Sequence, residues 1–244
     1  MMTKIQQYSD FTKLQKDYPR TRSNDYLLPH ELRALIKGGN LSCIADDHGL
    51  FTFVEREGFH KLIFRLRDDS ATLPETNLPL GAYLIYRAGN PPIETENWLL
   101  GQGFTLFRTL DRYTAKHVTG DPIASGVTTA NAEETYTMLR TYFNPAEMDL
   151  PCRDMFKQAL CIRSEDGTPL GVLYDMGHTR IVAVSAEARG LGIGARLYRA
   201  YAAGAGKPSA FHEWIRPDNT ASIALFGKLG FTKDTLVTAC YIRK

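Results

Sequence analysis

The sequence predicts an α/β (α+β) fold: a mixed central sheet flanked by helices, assembled from two similar units in tandem. Three observations carry that expectation. Short runs rich in β-branched and aromatic residues, separated by hairpin turns, alternate with segments of helical periodicity. A glycine-rich stretch, Arg189 to Gly194, joins one such strand to one such helix. The run Trp98-Leu99-Leu100-Gly101-Gln102-Gly103-Phe104-Thr105 is echoed by Leu225-Phe226-Gly227-Lys228-Leu229-Gly230-Phe231-Thr232, each after a strand and a helix.

In chain order, Leu27 to Lys37 reads as a short helix with Leu28, Leu32, Leu35 and Ile36 on one side and Gly38-Gly39 at its end. Strands at Leu41 to Ala45, Leu50 to Glu55 and His60 to Leu66 turn at Asp46-Asp47-His48-Gly49 and at Glu57-Gly58. Leu80 to Tyr86 is a further strand, and Pro91-Pro92 opens a helix from Ile93 to Leu100. The polar stretch Lys116 to Ala130, rich in glycine and threonine, marks the expected boundary and gives units 1–120 and 121–244. Ala132 to Phe143 is then an amphipathic helix whose Glu133 and Glu134 suit the positive end of its dipole. Asp154 to Leu160 reads as a short second helix, and Cys161 to Ser164 with Leu170 to Tyr174 as a hairpin about Glu165-Asp166-Gly167-Thr168.

Composition removes several classes of function. A chain of 244 residues holds one large domain or two small ones, and a net charge of +2 spread along it predicts no nucleic-acid partner. Met1 to Arg20 lacks the apolar core of a signal peptide and no run reaches membrane-spanning length, so the expectation is a cytoplasmic protein with no membrane partner. Cys43, Cys152, Cys161 and Cys240 have no paired metal-ligand spacing and are expected to be free thiols. No metal site is expected. Oligomeric state is not legible.

The glycine stretch supports three readings. A phosphate loop of the nucleoside-triphosphate type needs Lys and Ser or Thr after its last glycine, but Ala195 and Arg196 stand there. A dinucleotide fingerprint fits Gly190, Gly192 and Ala195, with Glu213 about 20 residues on, where a ribose-binding acid belongs. Against it, Ser185 to Arg189 separate the glycines from the strand, and too little chain follows for the rest of a doubly wound sheet. The third reading is a pyrophosphate cradle at the opening of a helix, where unscreened amides face an anion.

Here Arg189, Gly190, Leu191, Gly192, Ile193 and Gly194 form the pattern Q/R-x-x-G-x-G/A, and Ile215, Asn219, the segment Thr220 to Leu229, and Gly230-Phe231 follow in order. Together these motifs resemble the GNAT superfamily of acetyl-CoA-dependent acyltransferases. The resemblance covers the C-terminal third and implies acetyl-CoA as co-substrate and an amine acceptor, a small molecule ahead of a protein. It implies that Val182, Ala183 and Val184 supply donors to the thioester carbonyl, and that amides from Gly190 to Ala195 hold the pyrophosphate. Asn219, Ser222 and Phe226 would lie along the cofactor arm. The family's acid Tyr position holds Phe226 and its base Glu position holds Trp214, which leaves Glu213 and Tyr241 as the catalytic candidates. Glu187, His178 and His212 are lesser ones. The first unit shows no arginine-glycine loop and is expected to be a degenerate copy. A CoA-binding module without catalysis and a nucleotide-binding oxidoreductase are the alternatives.

Overall fold

The computed structural model describes residues 3–18, 22–76, 78–121, 126–177, 179–204 and 210–244. Packing divides it into two units, each discontinuous in sequence. Unit one comprises Met1–Arg108, Pro145–Cys152 and Thr238–Lys244, and unit two comprises Thr109–Asn144 and Arg153–Val237. The single cut at residue 120 expected from sequence differs from this division. Two strands, β7 (Thr105–Ala115) and β13 (Thr232–Arg243), contribute to both units.

Unit one contains β1 (Thr3–Lys4), α1 (Tyr8–Lys16), β2 (Arg22–Ser23), α2 (Pro29–Lys37), β3 (Leu41–Ala45), β4 (Gly49–Arg56), β5 (Phe59–Leu66), β6 (Leu80–Arg87) and α3 (Ile93–Gly101). The hairpin strands are antiparallel, with Leu41 opposite Val54 and Gly49 opposite Leu66, whereas β5 and β6 run parallel. The expected strands and helices of this half are present within a residue or two. The additions are α1 and the two-residue strands. Phe51, Phe53, Leu62, Phe64, Leu84, Leu99 and Phe104 form its core.

Unit two contains β8 (Val127–Ala130), α4 (Ala132–Tyr142), β9 (Ala159–Arg163), β10 (Pro169–Asp175), β11 (Arg180–Val184), α6 (Ile193–Gly204), β12 (Phe211–Ile215) and α7 (Thr220–Lys228). Strands β8 to β11 make one antiparallel sheet, while β12 pairs with β7, Phe211 opposite Ala115 and Ile215 opposite Asp111. Helix α4 begins at a capping box: Asn131 Oδ1 accepts from the Glu134 amide and Glu134 Oε2 from the Asn131 amide, both at 2.9 Å. The expected helix at Asp154 to Leu160 is absent. Only a 3-10 turn, Arg153–Met155, forms there, because Ala159 and Leu160 are taken into β9, paired with Ala130 and Leu173.

The sequence echo is a structural one. Gly103 and Gly230 have φ of 82° and 85°, the left-handed conformation that glycine adopts without a Cβ penalty. In each helix end the next amide, Phe104 or Phe231, turns back to the carbonyl five residues earlier, Leu99 or Phe226, at 3.1 and 2.9 Å. The two phenylalanines are buried, each in its own unit's core.

The helix α5 (Pro145–Met148) and the residues after it are held in unit one by charge. Asp149, at a φ of 52°, accepts from Arg56 Nε at 2.7 Å and Lys61 Nζ at 2.5 Å. Burial alone would push its carboxyl up, but Arg56 and Lys61 hold it well below the ordinary range. Asp149→Asn strands both cations and is expected to lower the unfolding free energy by about 3 kcal/mol at neutral pH in urea titrations. Because the folded carboxyl titrates below the unfolded one, the wild-type advantage should be complete above pH ~4 and shrink as pH falls further. A difference that stays constant through the acid range would contradict this.

Candidate acyl-donor site

The site in unit two is built where β11 and β12 separate. The Ser185 amide donates to the Leu170 carbonyl at 2.9 Å, which fixes the phase of the β10–β11 ladder. Ile181 and Ala183 therefore turn their backbone groups to β10, and Val182 and Val184 turn theirs to the other, open edge. Of the three strand residues expected to offer donors, Val182 and Val184 present amides on that edge, while Ala183 is committed to the ladder.

Glu213 holds the closed end of this gap. Its carboxylate accepts from the Arg180 amide at 3.1 Å, Arg180 Nε at 2.7 Å, Thr179 Oγ1 at 2.9 Å and Tyr198 Oη at 2.5 Å. Arg180 Nη2 also donates to the His212 carbonyl at 2.8 Å. So β11, β12 and α6 are joined through one side chain that is 2% exposed. Burial pushes the Glu213 carboxyl up, opposed by Arg180; burial would lower the Arg180 guanidinium, but Glu213 raises it above its ordinary value. A carboxylate so enclosed has no lone pair to offer an incoming amine.

Beyond Val184 a 3-10 turn, Ala186–Ala188, leads into the glycine loop. Gly190 and Gly192 have φ of 82° and 75°, and a Cβ at either would meet nothing within 4 Å. These two are conformational glycines on an open face. Gly194 differs: a Cβ there would stand 3.0 Å from Leu225 Cδ2, so it lets α6 approach α7. On the other side Gly171 makes room for α6, since its Cβ would lie 2.7 Å from Ile193 Cγ2. Among the described residues, the amides of Gly190, Gly192, Ile193, Gly194 and Ala195 have no acceptor, and the first closing bond runs from the Arg196 amide to the Gly192 carbonyl at 3.1 Å. Five unpaired donors at a helix N-terminus suit a phosphate group. Leu191 is exposed, and the Arg189 guanidinium lies 5.7 Å over the Tyr142 ring.

The other expected residues fall into three groups. Asn219 caps α7, its Oδ1 accepting from the Ser222 amide at 3.1 Å. Phe226 is buried in the core, its ring edge-on to Tyr198 at 5.4 Å and to Phe231 at 5.1 Å. It packs α7 against α6 through these ring contacts. Tyr241 belongs to unit one, 1% exposed, with its hydroxyl donating to Glu96 at 2.6 Å, so it does not join the glycine loop in one unit. Glu187 is exposed and Trp214 half-buried, while His178 lies outside the described residues. Arg180, Thr179 and Tyr198 were not singled out from sequence. They lie 15 or more residues from Glu213 in the chain, and no motif joins them to it.

Residues 132–231 match the model of the acetyltransferase (GNAT) family. No curated protein sequence matches the chain. Among solved structures, a Drosophila protein is 15% identical with a TM-score of 0.59, covering 96% of this chain and 86% of its own. A tandem GNAT protein from the clavulanic acid biosynthesis pathway is 10% identical with a TM-score of 0.57, over 100% and 98%. A GCN5-related N-acetyltransferase from Sphaerobacter thermophilus is 12% identical with a TM-score of 0.55, over 100% and 95%. At such identities the likeness is one of fold.

Glu213→Gln is expected to cost about 3 kcal/mol in denaturant unfolding, because it leaves Arg180 buried without its partner. Loss of turnover at unchanged stability would instead restore Glu213 as a base.

Proposed function

With residues 132–231 as a GNAT acetyltransferase domain, we propose that the chain transfers an acetyl group from acetyl-CoA to a primary amine, both substrates bound together in unit two. The observation that carries this is the open β11 edge leading into five unpaired amides. Acetyl-CoA, when bound, supplies an acyl thioester. The amides of Gly190 and of Gly192 to Ala195 would hold its pyrophosphate, with Arg189 within reach of the same loop. The edge amides of Val182 and Val184 would lie along the arm and stabilise negative charge developing on the carbonyl oxygen. Asn219 and Ser222 order the start of α7, beside the same gap.

The amine must arrive neutral, and an alkylamine is mostly protonated near pH 7, so desolvation or a water has to remove its proton. None of the expected acid–base residues meets that need directly. Glu213 is fully engaged, Phe226 has no hydroxyl, and Tyr241 is in the other unit's core. The rate is therefore assigned to positioning and to the backbone donors, and the acceptor to a small amine ahead of a protein. The same lack favours a second reading, a CoA-binding module without turnover.

Calorimetric titration with acetyl-CoA tests the first step. Gly192→Glu forces a side chain into the left-handed region and sets a carboxylate in the cradle, so affinity should fall by ~10-fold or more. No binding by the wild type would overturn the proposal. If the wild type binds, acetylation of a panel of primary amines separates an enzyme from a binding module.

A further inference from the structure

Unit one has the equivalent of the gap in unit two, and it is filled. Strands β5 and β6 are bonded at their start, His60 opposite Leu80 and Leu62 opposite Ala82, and then diverge. The Arg67 amide donates to the His48 carbonyl at 2.8 Å, so odd-numbered residues of β5 serve β4, and Leu62, Phe64 and Leu66 face the gap. This is the phase in which Val182 and Val184 face theirs.

The residues that fill the gap are the chain's own. Arg22 and Ser23 pair antiparallel with Leu66 and Arg65. Asn24 continues that pairing with its amide on the Phe64 carbonyl at 3.3 Å. Its side chain completes it, Nδ2 donating to the Leu62 carbonyl at 2.9 Å and Oδ1 accepting from the Phe64 amide at 2.7 Å. Two residues on, Tyr26 Oη accepts from the Ile85 amide of β6 at 2.8 Å. Both walls of the gap are thus satisfied by one five-residue segment. Asn24 is 2% exposed. Side chains lock the segment: Asp25 accepts from Arg65 Nη2 at 2.5 Å and from Gln15 Nε2 at 2.8 Å, and Arg22 Nη2 donates to Glu94 at 2.9 Å.

We propose that the β5–β6 gap is a binding site for an extended peptide, occupied by residues 22–26 of the same chain and thereby closed to acyl-CoA. A tethered ligand competes at high effective concentration, so a free one must displace every bond above at once. The connection from β5 to β6 also contains no helix among the described residues, so no counterpart of the glycine loop repays that displacement. The inference rests on the proposed function for the identity of the excluded ligand, while the self-occupied gap stands on unit one alone.

The test is amide hydrogen exchange on the full chain, free and with acetyl-CoA about 100-fold above its Kd, alongside calorimetric stoichiometry. In the free protein Phe64 and Ile85 should exchange slowly and Val182 and Val184 fast. Acetyl-CoA should slow the latter pair by up to ~100-fold and leave the former unchanged, at one ligand per chain. Tyr26→Phe should speed exchange at Ile85 by ~10-fold while the stoichiometry stays at one. Fast exchange at Phe64 and Ile85 in the free chain, or two acetyl-CoA per chain, would overturn the inference. Protected Phe64 and Ile85 with no acetyl-CoA bound would uphold the closed gap and overturn the proposed function instead.

Discussion

The candidate site in unit two depends on a buried ion pair. No backbone ladder joins β11 to β12 among the described residues, and Glu213 and Arg180 link them where β11 begins. Three elements meet at that carboxylate. A full ladder between β11 and β12 would spend the edge amides of Val182 and Val184 on carbonyls of β12. Buried pairs of this kind add little net stability over apolar packing. What this one contributes is geometry, a fixed separation at one end that leaves donors free at the other.

The gap in unit one is held differently at its closed end. In unit one the strands are bonded by backbone groups over three residue pairs and then part, and the exposed donors are met by Asn24 and Tyr26. In unit two the equivalent donors meet nothing within the described residues. Backbone polar groups removed from water must find partners. One unit satisfies the rule within the chain and the other leaves donors open along β11, and under the proposed function that difference separates a structural copy from a functional one.

Much of this was legible where the chain needs a residue type that nothing else can replace. Gly103 and Gly230 mark the helix ends because only glycine adopts their φ cheaply, and Gly190 and Gly192 mark the loop for the same reason. Glu133 and Glu134 mark the start of α4 by their charge at the positive end of its dipole. What sequence could not show were pairings across distance: Glu213 with Arg180, Asn24 with Phe64, Tyr241 with Glu96. Glu213 and Tyr241 were natural candidates because each lies near a motif along the chain. Each is buried and already bonded, Glu213 to Arg180 and Tyr241 to Glu96, and neither property is written locally. The helix expected at Asp154 to Leu160 failed likewise, since ladder partners far away in sequence claimed its last residues.

The sharing of β7 and β13 bears on how the chain is made. Unit one is complete only with Thr238–Lys244, far along the chain from Met1–Arg108, and β12 of unit two pairs with a strand synthesised about a hundred residues before it. Such long-range pairing is slow to form, and folding during synthesis ordinarily proceeds by finished domains. Here unit one is not finished until the residues of unit two have been made. A chain halted before residue 238 lacks the end of β13 that belongs to unit one, so that unit cannot be completed ahead of unit two.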